Sequence, residues 1–405
     1  MIPTVLTNIN IVDATRQDPL TNAAIVIREG SIHDIISRDS VPKMRDAKIV
    51  DLDGAWVIPG LIDTHNHMVS PLAPFYFPKE PIIDRYIRQG RETMDALQVG
   101  FTSLRVVGAP DFSDVAWKQA FESGLYTGPR LFVAGHALAP TAGHGQGMRC
   151  SVESDGSEGF RKLVREQIQG GADFIKVVMT GGVMGACWDD PDHAHLMDDE
   201  LAAIFDVAKA RGYQVAAHAA SPETVKTAVL GGAYTIEHGY TLDEEAVQLM
   251  ADNGTYYNPT FCITHLIPQA AVSEYHKSYV EEWPLQDDLH QRANERRPEH
   301  VEGFKMALEY GVRIASGCDA GPLKDTGLLE IELLVQNGME PMEAIKAATL
   351  HGAAVCEMQD KIGSIEVGKL ADLLVLEKNP AENIHNIRTV RMVLKGGIVV
   401  HDSDG

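Results

Sequence analysis

Residues 197–239 read "MDDELAAIFDVAKARGYQVAAHAASPETVKTAVLGGAYTIEHG". Twice within these residues an amphipathic helical pattern runs into glycine and is followed by a short β-rich run ending in a histidine, His218 and then His238. Ser221 before Pro222 is an N-cap followed by a proline at the first helical position, and Gly231 marks the stop. The unit recurs on both sides. "SEGFRKLVREQIQGG" precedes "ADFIKVVMTGG", "DEEAVQLMADNG" precedes "TYYNPT", and "HVEGFKMALEYG" precedes "VRIASGCDAG". Helix and strand alternating at this spacing predict a parallel sheet. About 300 residues of such units, roughly 59–355, suit an eight-stranded TIM-like (β/α)8 barrel better than an open sheet.

The flanks differ. "NAAIVIREGSIHDIIS" (22–37) and "VRMVLKGGIVV" (390–400) are β-rich runs broken by Glu29-Gly30 and Gly396-Gly397, which are hairpin signals, and "ADLLVLE" (371–377) is a third such run. These predict a small β-sandwich domain built from both termini, residues 1–58 with 356–405. Two insertions, 70–90 and 261–300, carry clustered aromatics, prolines and charges and are expected to shape a pocket.

Of the 405 residues 44% are hydrophobic and 23% charged, ordinary for a globular protein. Asp and Glu number 57 against 35 Lys and Arg, a net charge of −22 that disfavours nucleic acid and anionic membranes as partners. The first residues lack a basic segment followed by an apolar one, and no run of about 18 apolar residues occurs, so the expected location is cytoplasmic. The five cysteines, Cys150, Cys187, Cys262, Cys318 and Cys356, have no CxxC spacing and read as free thiols.

At a barrel mouth, strand ends distant in sequence meet. "PGLIDTHNHM" (59–68) places His65 and His67 two residues apart, on one face of a strand. His218, His238 and Asp319 also fall at strand ends. A lone histidine there is more often structural than a ligand, but five such positions in one repeat point to a metal site. Imidazole and carboxylate without thiolate suit Zn²⁺ and admit Mn²⁺, Co²⁺ or Fe²⁺. Lys176, within the apolar run "FIKVVM", is out of place as an ordinary ammonium, since a buried lysine is paired or deprotonated.

"PGLIDTHNHM", "ADFIKVVMTGG", "AAHA", "TIEHG", "SGCDAG" and "IGSIEVGKLADLLVLEKNP" together resemble the amidohydrolase superfamily, in its branch of imidazolonepropionase-like metal-dependent peptidases and amidases, Xaa-Pro dipeptidase-like or carboxypeptidase-like. The resemblance covers nearly the whole chain. It implies two divalent ions, His65, His67 and Asp319 holding one, His218 and His238 the other, with a carbamylated Lys176 bridging them. It further implies hydrolysis of an amide bond, of peptide or N-acyl amino acid type, by a metal-bridging hydroxide, with Asp319 as general base and acid. A histidine of "GHALAPTAGHGQG" (135–147), His144 in preference to His136, would stabilise the carbonyl oxygen. The expected partners are small-molecule amides or peptides and further copies of the chain in a homo-oligomer.

The chain departs from the branch at Ala220, where its peptidases often have a tyrosine that binds a free carboxylate; Tyr240 is the candidate replacement, and Arg105 and Arg149 are further candidates for that carboxylate. His193 and His195 read as a polar loop over the site. His265, His276, His290 and His300 read as solvated or lid residues. Cyclic-amide hydrolysis and deamination are the nearest competing activities, and a catalytically silent ligand-binding barrel is the competitor of another class.

Overall fold

In the computed structural model, which describes all residues except 1, 14, 17, 44–45, 70–79, 146–148, 186–188 and 404–405, the repeat of the central sequence forms parallel strands. Four strands come first: β1 (Thr4–Ile11), β2 (Leu20–Arg28), β3 (Ser31–Ser37) and β4 (Lys48–Pro59). The central strands are β5 (Leu61–Asn66), β6 (Phe101–Val106), β7 (Arg130–Val133), β8 (Ala137–Ala139), β9 (Ser151–Glu153), β10 (Ile175–Val178), β11 (Val215–Ala219), β12 (Thr235–His238), β13 (Tyr256–Asn258) and β14 (Arg313–Ile314). β15 (Leu373–Leu376), β16 (Val390–Lys395) and β17 (Ile398–Asp402) close the chain.

The helix Asp198–Arg211 shows why the alternation folds as it does. It buries Leu201, Ile204, Phe205 and Ala208, one stripe at helical spacing, and ends at Gly212 in the left-handed region. β11, which follows, is buried along its whole length, as a parallel strand covered on both faces must be. The next helix, Pro222–Gly231, starts at Ser221 as read, but its stop is Gly232, at φ 97°, rather than Gly231. It is Gly232 that takes up the left-handed conformation.

The central strands are hydrogen-bonded as a sheet in the order β14-β13-β12-β11-β10-β8-β9 and a second in the order β5-β6-β7. Backbone hydrogen bonds cross both seams: Asp173 N donates to Val133 O (2.7 Å), Thr64 N to Ser316 O (2.8 Å) and Asp319 N to His65 O (2.8 Å). Gly317 permits the second seam, since a Cβ there would lie 2.3 Å from His65 N.

The strands of the two termini share one sheet, in the order β17-β16-β15-β4-β1-β2-β3. Both glycine-containing breaks are turns with positive φ, at Glu29-Gly30 and Gly396-Gly397. The seven strands of the expected sandwich are hydrogen-bonded as one continuous sheet whose two ends share a core, Ile25 and Ile32 packing in one cluster with Leu373 and Leu394. Its cause is the twelve-residue β4, which pairs with β1 on one side and, through Trp56–Pro59, with β15 on the other.

The later insertion is helical, with helices at Cys262–His265, Glu274–Glu282 and Asp287–Glu309. The earlier one lies in large part outside the described residues; from Ile82 onward it is the helix Ile82–Gln98. Among the described residues no helix is long and apolar enough to cross a membrane. Cys150, Cys262, Cys318 and Cys356 are free and buried; Cys187 lies outside the described residues.

Candidate metal centre and active site

The strand ends deliver their side chains to one cavity, lined by His65, His67, His144, Lys176, His218, His238 and Asp319, with Ala137, Val178, Met184, Tyr240 and Ile263 on its walls. Ring centroids of His65 and His238 are 4.9 Å apart, and those of His218 and His238 4.3 Å. His218 and His238 stand on adjacent strands, with Ala219 in register with His238.

Each imidazole has one nitrogen committed to an acceptor, and this fixes its tautomer. His67 Nδ1 faces Gly108 O at 2.7 Å and His218 Nε2 faces Gly181 O at 2.8 Å; a carbonyl only accepts, so these nitrogens carry the protons. His238 Nδ1 lies 2.8 Å from Thr260 Oγ1, whose own hydrogen goes to Pro259 O. His65 Nδ1 donates to Glu237 Oε2 at 2.7 Å. The remaining nitrogens, His65 Nε2, His67 Nε2, His218 Nδ1 and His238 Nε2, are lone-pair donors of the kind that bind metals.

Burial is the largest influence lowering His65, His218 and His238 below the usual imidazole range, so all three are neutral at neutral pH. Burial acts to raise Asp319, but positive charge around it, that of the Lys176 ammonium included, outweighs burial and holds the carboxyl below its usual range.

Asp319 Oδ1 lies 3.6 Å from His65 Nε2 and 3.3 Å from His67 Nε2. Two lone pairs and a carboxylate oxygen thus converge, and ligand atoms of the three residues lie within 4.8 Å of one another. Asp319 Oδ1 is buried without a hydrogen-bond partner. Converging acceptors with no donor between them repel one another, and a divalent cation is what such a donor set fits.

Lys176 Nζ is likewise buried without a hydrogen-bond partner. Burial pulls its ammonium down to about 8, against the opposing pull of Glu237 and Asp319. The lysine therefore has an appreciable neutral fraction near physiological pH.

Sequence reasoning missed Glu237, although it sits in the motif "TIEHG". Fully buried, it receives hydrogen bonds from His65 Nδ1, Arg105 Nη1 (3.1 Å), Asn258 Nδ2 (3.1 Å) and the Thr235 hydroxyl. Burial acts to raise it, but His65, Arg105 and Lys176 hold it well below the usual carboxylate range. The signal available was a charged residue at a fully buried strand position, adjacent to a candidate ligand. Asp63 was also missed. It binds His65 N and Asn66 Nδ2 with one oxygen and Cys318 N with the other, which ties the His65 strand to the Asp319 turn.

Several expectations are corrected. His136 is absent from the cavity lining; its Nε2 accepts from Asp111 N at 3.1 Å and its ring packs edge-on against Phe112. Arg105 is a buried partner of Glu237 stacked over Phe174, and Arg149 is exposed beside Asp111, so neither lines the cavity. His265, His276 and His300 are buried, which rules out solvated residues and leaves the lid alternative: they stand on helices of the insertion, and Thr264 Oγ1 bonds both His265 and His300 while His276 bonds His265 O. His290 alone of the four matches the solvated alternative in part, being half-buried and bonded to Gln269. Tyr240 is in the cavity wall, stacked on His238 at 5.2 Å.

Parallel strands that bring histidines and an aspartate to one cavity are what a metal-dependent hydrolase would need. The family model for the amidohydrolase family matches residues 56–400, and the chain belongs to that family, in its imidazolonepropionase-like branch. It is a hydrolase acting on amide C–N bonds. Ochratoxinase of Aspergillus niger is 30% identical over 414 residues, covering 94% of this chain and 83% of that one. The crystal structure of a Xaa-Pro dipeptidase with bound methionine superposes with a TM-score of 0.86 at 30% identity, over 98% of this chain and 99% of the other. A prolidase complexed with N-methylphosphonate-L-proline gives 0.85 at 30% identity, over 98% and 99%.

Proposed function

We propose that the chain hydrolyses a peptide or N-acyl amino acid amide bond at a centre of two divalent ions, zinc foremost. His65, His67 and Asp319 would hold one ion and His218 and His238 the other, with Lys176, carbamylated, between them. The fold proposed for it is a (β/α)8 barrel over 59–355 beside a β domain of 1–58 and 356–405; the two parallel central sheets and the backbone hydrogen bonds between them support that reading.

The observation that carries the reading is the Lys176 amine, buried and unpartnered in the same cavity as four lone-pair nitrogens and an unpartnered carboxylate oxygen. A neutral amine adds to the carbon of CO₂ and loses a proton, becoming an anionic carbamate; this converts the one misplaced cation into a ligand. Divalent ions in such a site lower the pKa of water towards 7 and polarise a carbonyl.

The chain's own residues do the rest. Asp319 takes a proton from the attacking water and delivers it to the leaving nitrogen. His144 would donate an Nε2–H hydrogen bond to the carbonyl oxygen as negative charge develops there, a role that requires both ring nitrogens to carry protons because Nδ1 already donates to Asp189. Met184, Ile263 and Val178 exclude bulk water, and Tyr240 offers an aromatic face to the substrate. The likeness to a dipeptidase, a prolidase and ochratoxinase supports a peptide or other amide as the substrate.

The test is metal analysis of zinc-loaded protein alongside a screen of dipeptides, N-acyl amino acids and aryl amides. About two ions per chain, turnover of dipeptides or N-acyl amino acids, and a ¹³C carbamate resonance absent from Lys176→Ala are expected. One ion with an unmodified lysine, or no hydrolysis of any amide, would overturn the reading.

A further inference from the structure

The acidic segment "DDPDHAH" (189–195) has no place in the proposed chemistry, yet its first residue, Asp189, bonds His144 of the cavity wall from behind. The Asp189 side chain is 2% exposed. One carboxylate oxygen, Oδ2, is hydrogen-bonded to His144 Nδ1, and the other, Oδ1, is buried without a hydrogen-bond partner, 3.9 Å from His195 Nε2. We propose that Asp189 is a positioning residue for the reaction, fixing the ring of His144 so that Nε2 faces the substrate.

Three features converge on this assignment. A carboxylate accepts only, so the pairing places the His144 proton on Nδ1 and leaves Nε2 as the atom available in the cavity. The glycines beside it are shaped around the pair: a Cβ on Gly182 would lie 2.3 Å from the His144 ring and one on Gly185 1.8 Å from Asp189 Oδ2. The same loop is anchored from both sides, since Gly181 O accepts from His218 Nε2 and Gly185 O accepts from Arg292 at 2.6 Å. The long insertion, through Arg292 of the helix Asp287–Glu309, thus helps hold the segment that carries Asp189. When Nε2 carries a proton to the carbonyl oxygen, the Asp189 charge offsets that of the ring. A histidine held only by packing would rotate about its side-chain bonds and spend part of its time misdirected.

The kinetic part of this inference rests on the amide-hydrolase reading; the pairing itself does not. In zinc-loaded protein with ¹⁵N-labelled histidine, the His144 Nδ1–H resonance, assigned by its loss in His144→Asn, is expected downfield in the native chain. It should vanish in Asp189→Leu and persist, moved upfield, in Asp189→Asn, which keeps an acceptor oxygen and guards against misfolding of the leucine variant. In turnover of the best amide found, Asp189→Leu should lower kcat by about 10- to 100-fold with KM little changed and metal content retained. In the double variant with His144→Asn the losses should not add. An unchanged Nδ1–H resonance in Asp189→Leu, or additive losses in the double variant, would overturn the proposal. If the pairing is seen but no amide is turned over, the reading of the reaction fails and the positioning role falls with it.

Discussion

Replacing Glu237 by glutamine tests how the proposed metal ligand His65 is oriented. The carboxylate takes four hydrogen bonds: His65 Nδ1 and Asn258 Nδ2 on Oε2, Arg105 Nη1 and the Thr235 hydroxyl on Oε1. An amide has one accepting oxygen. Whichever way it turns, its NH₂ group faces two of those donors. Arg105 also loses its negative partner, while keeping Thr64 O, the Thr235 hydroxyl and the Phe174 ring. Breaking a buried ion pair by removing one member costs about 3–5 kcal/mol, and loss of an outer partner of a ligating histidine weakens metal binding by about 10- to 100-fold. Glu237→Gln should therefore lower stability by several kcal/mol in urea unfolding and release metal at a correspondingly lower chelator concentration. A chelator midpoint within about twofold of the native chain, together with a stability change inside the ±0.5 kcal/mol typical of surface substitutions, would refute this account of Glu237.

Asp319→Asn should reduce kcat by about 10²- to 10⁴-fold through loss of the proton carrier, with elemental analysis still finding metal; near-native turnover would remove Asp319 from proton transfer. The pH dependence of stability offers a separate check at Glu330. Burial pushes this acid up to about 8 although Phe261 N and Cys262 N bond its oxygens. Its folded pKa is raised, so between 4.5 and about 8 the folded chain binds more protons than the unfolded one, and this contribution to stability is lost as pH rises through that window. The stability of Glu330→Gln relative to the native chain should therefore climb with pH, by at most about 1.4 kcal/mol per unit. Urea midpoints that run parallel for the two proteins from pH 5 to 8 would contradict it.

Sequence alone determined the parallel strand segments and picked out His65, His67, His218 and His238 near the ends of theirs, together with Lys176, which lies near the start of its strand, and Asp319, which lies in the turn beyond the last one. It could do so because helical and strand periodicities are local, and because a histidine following an apolar run is visible without knowing its neighbours. It also placed both hairpin turns of the terminal strands, whose left-handed residues are written as Glu-Gly and Gly-Gly. Only the tertiary structure decided the partners. Glu237, Asp63 and Asp189 act on residues distant in the chain or on another loop: Glu237 lies 172 positions from His65, and Asp189 45 from His144. No periodicity records such pairings. The same cause left the reading of His265, His276 and His300 divided between solvent and lid, since their burial depends on which helix covers them, and misled that of His136, which shares a glycine-rich loop with His144 but turns instead to a backbone amide. A residue's type and spacing fix what it can donate or accept. What it donates to is set by the packing of strands and loops that meet only when the chain has folded.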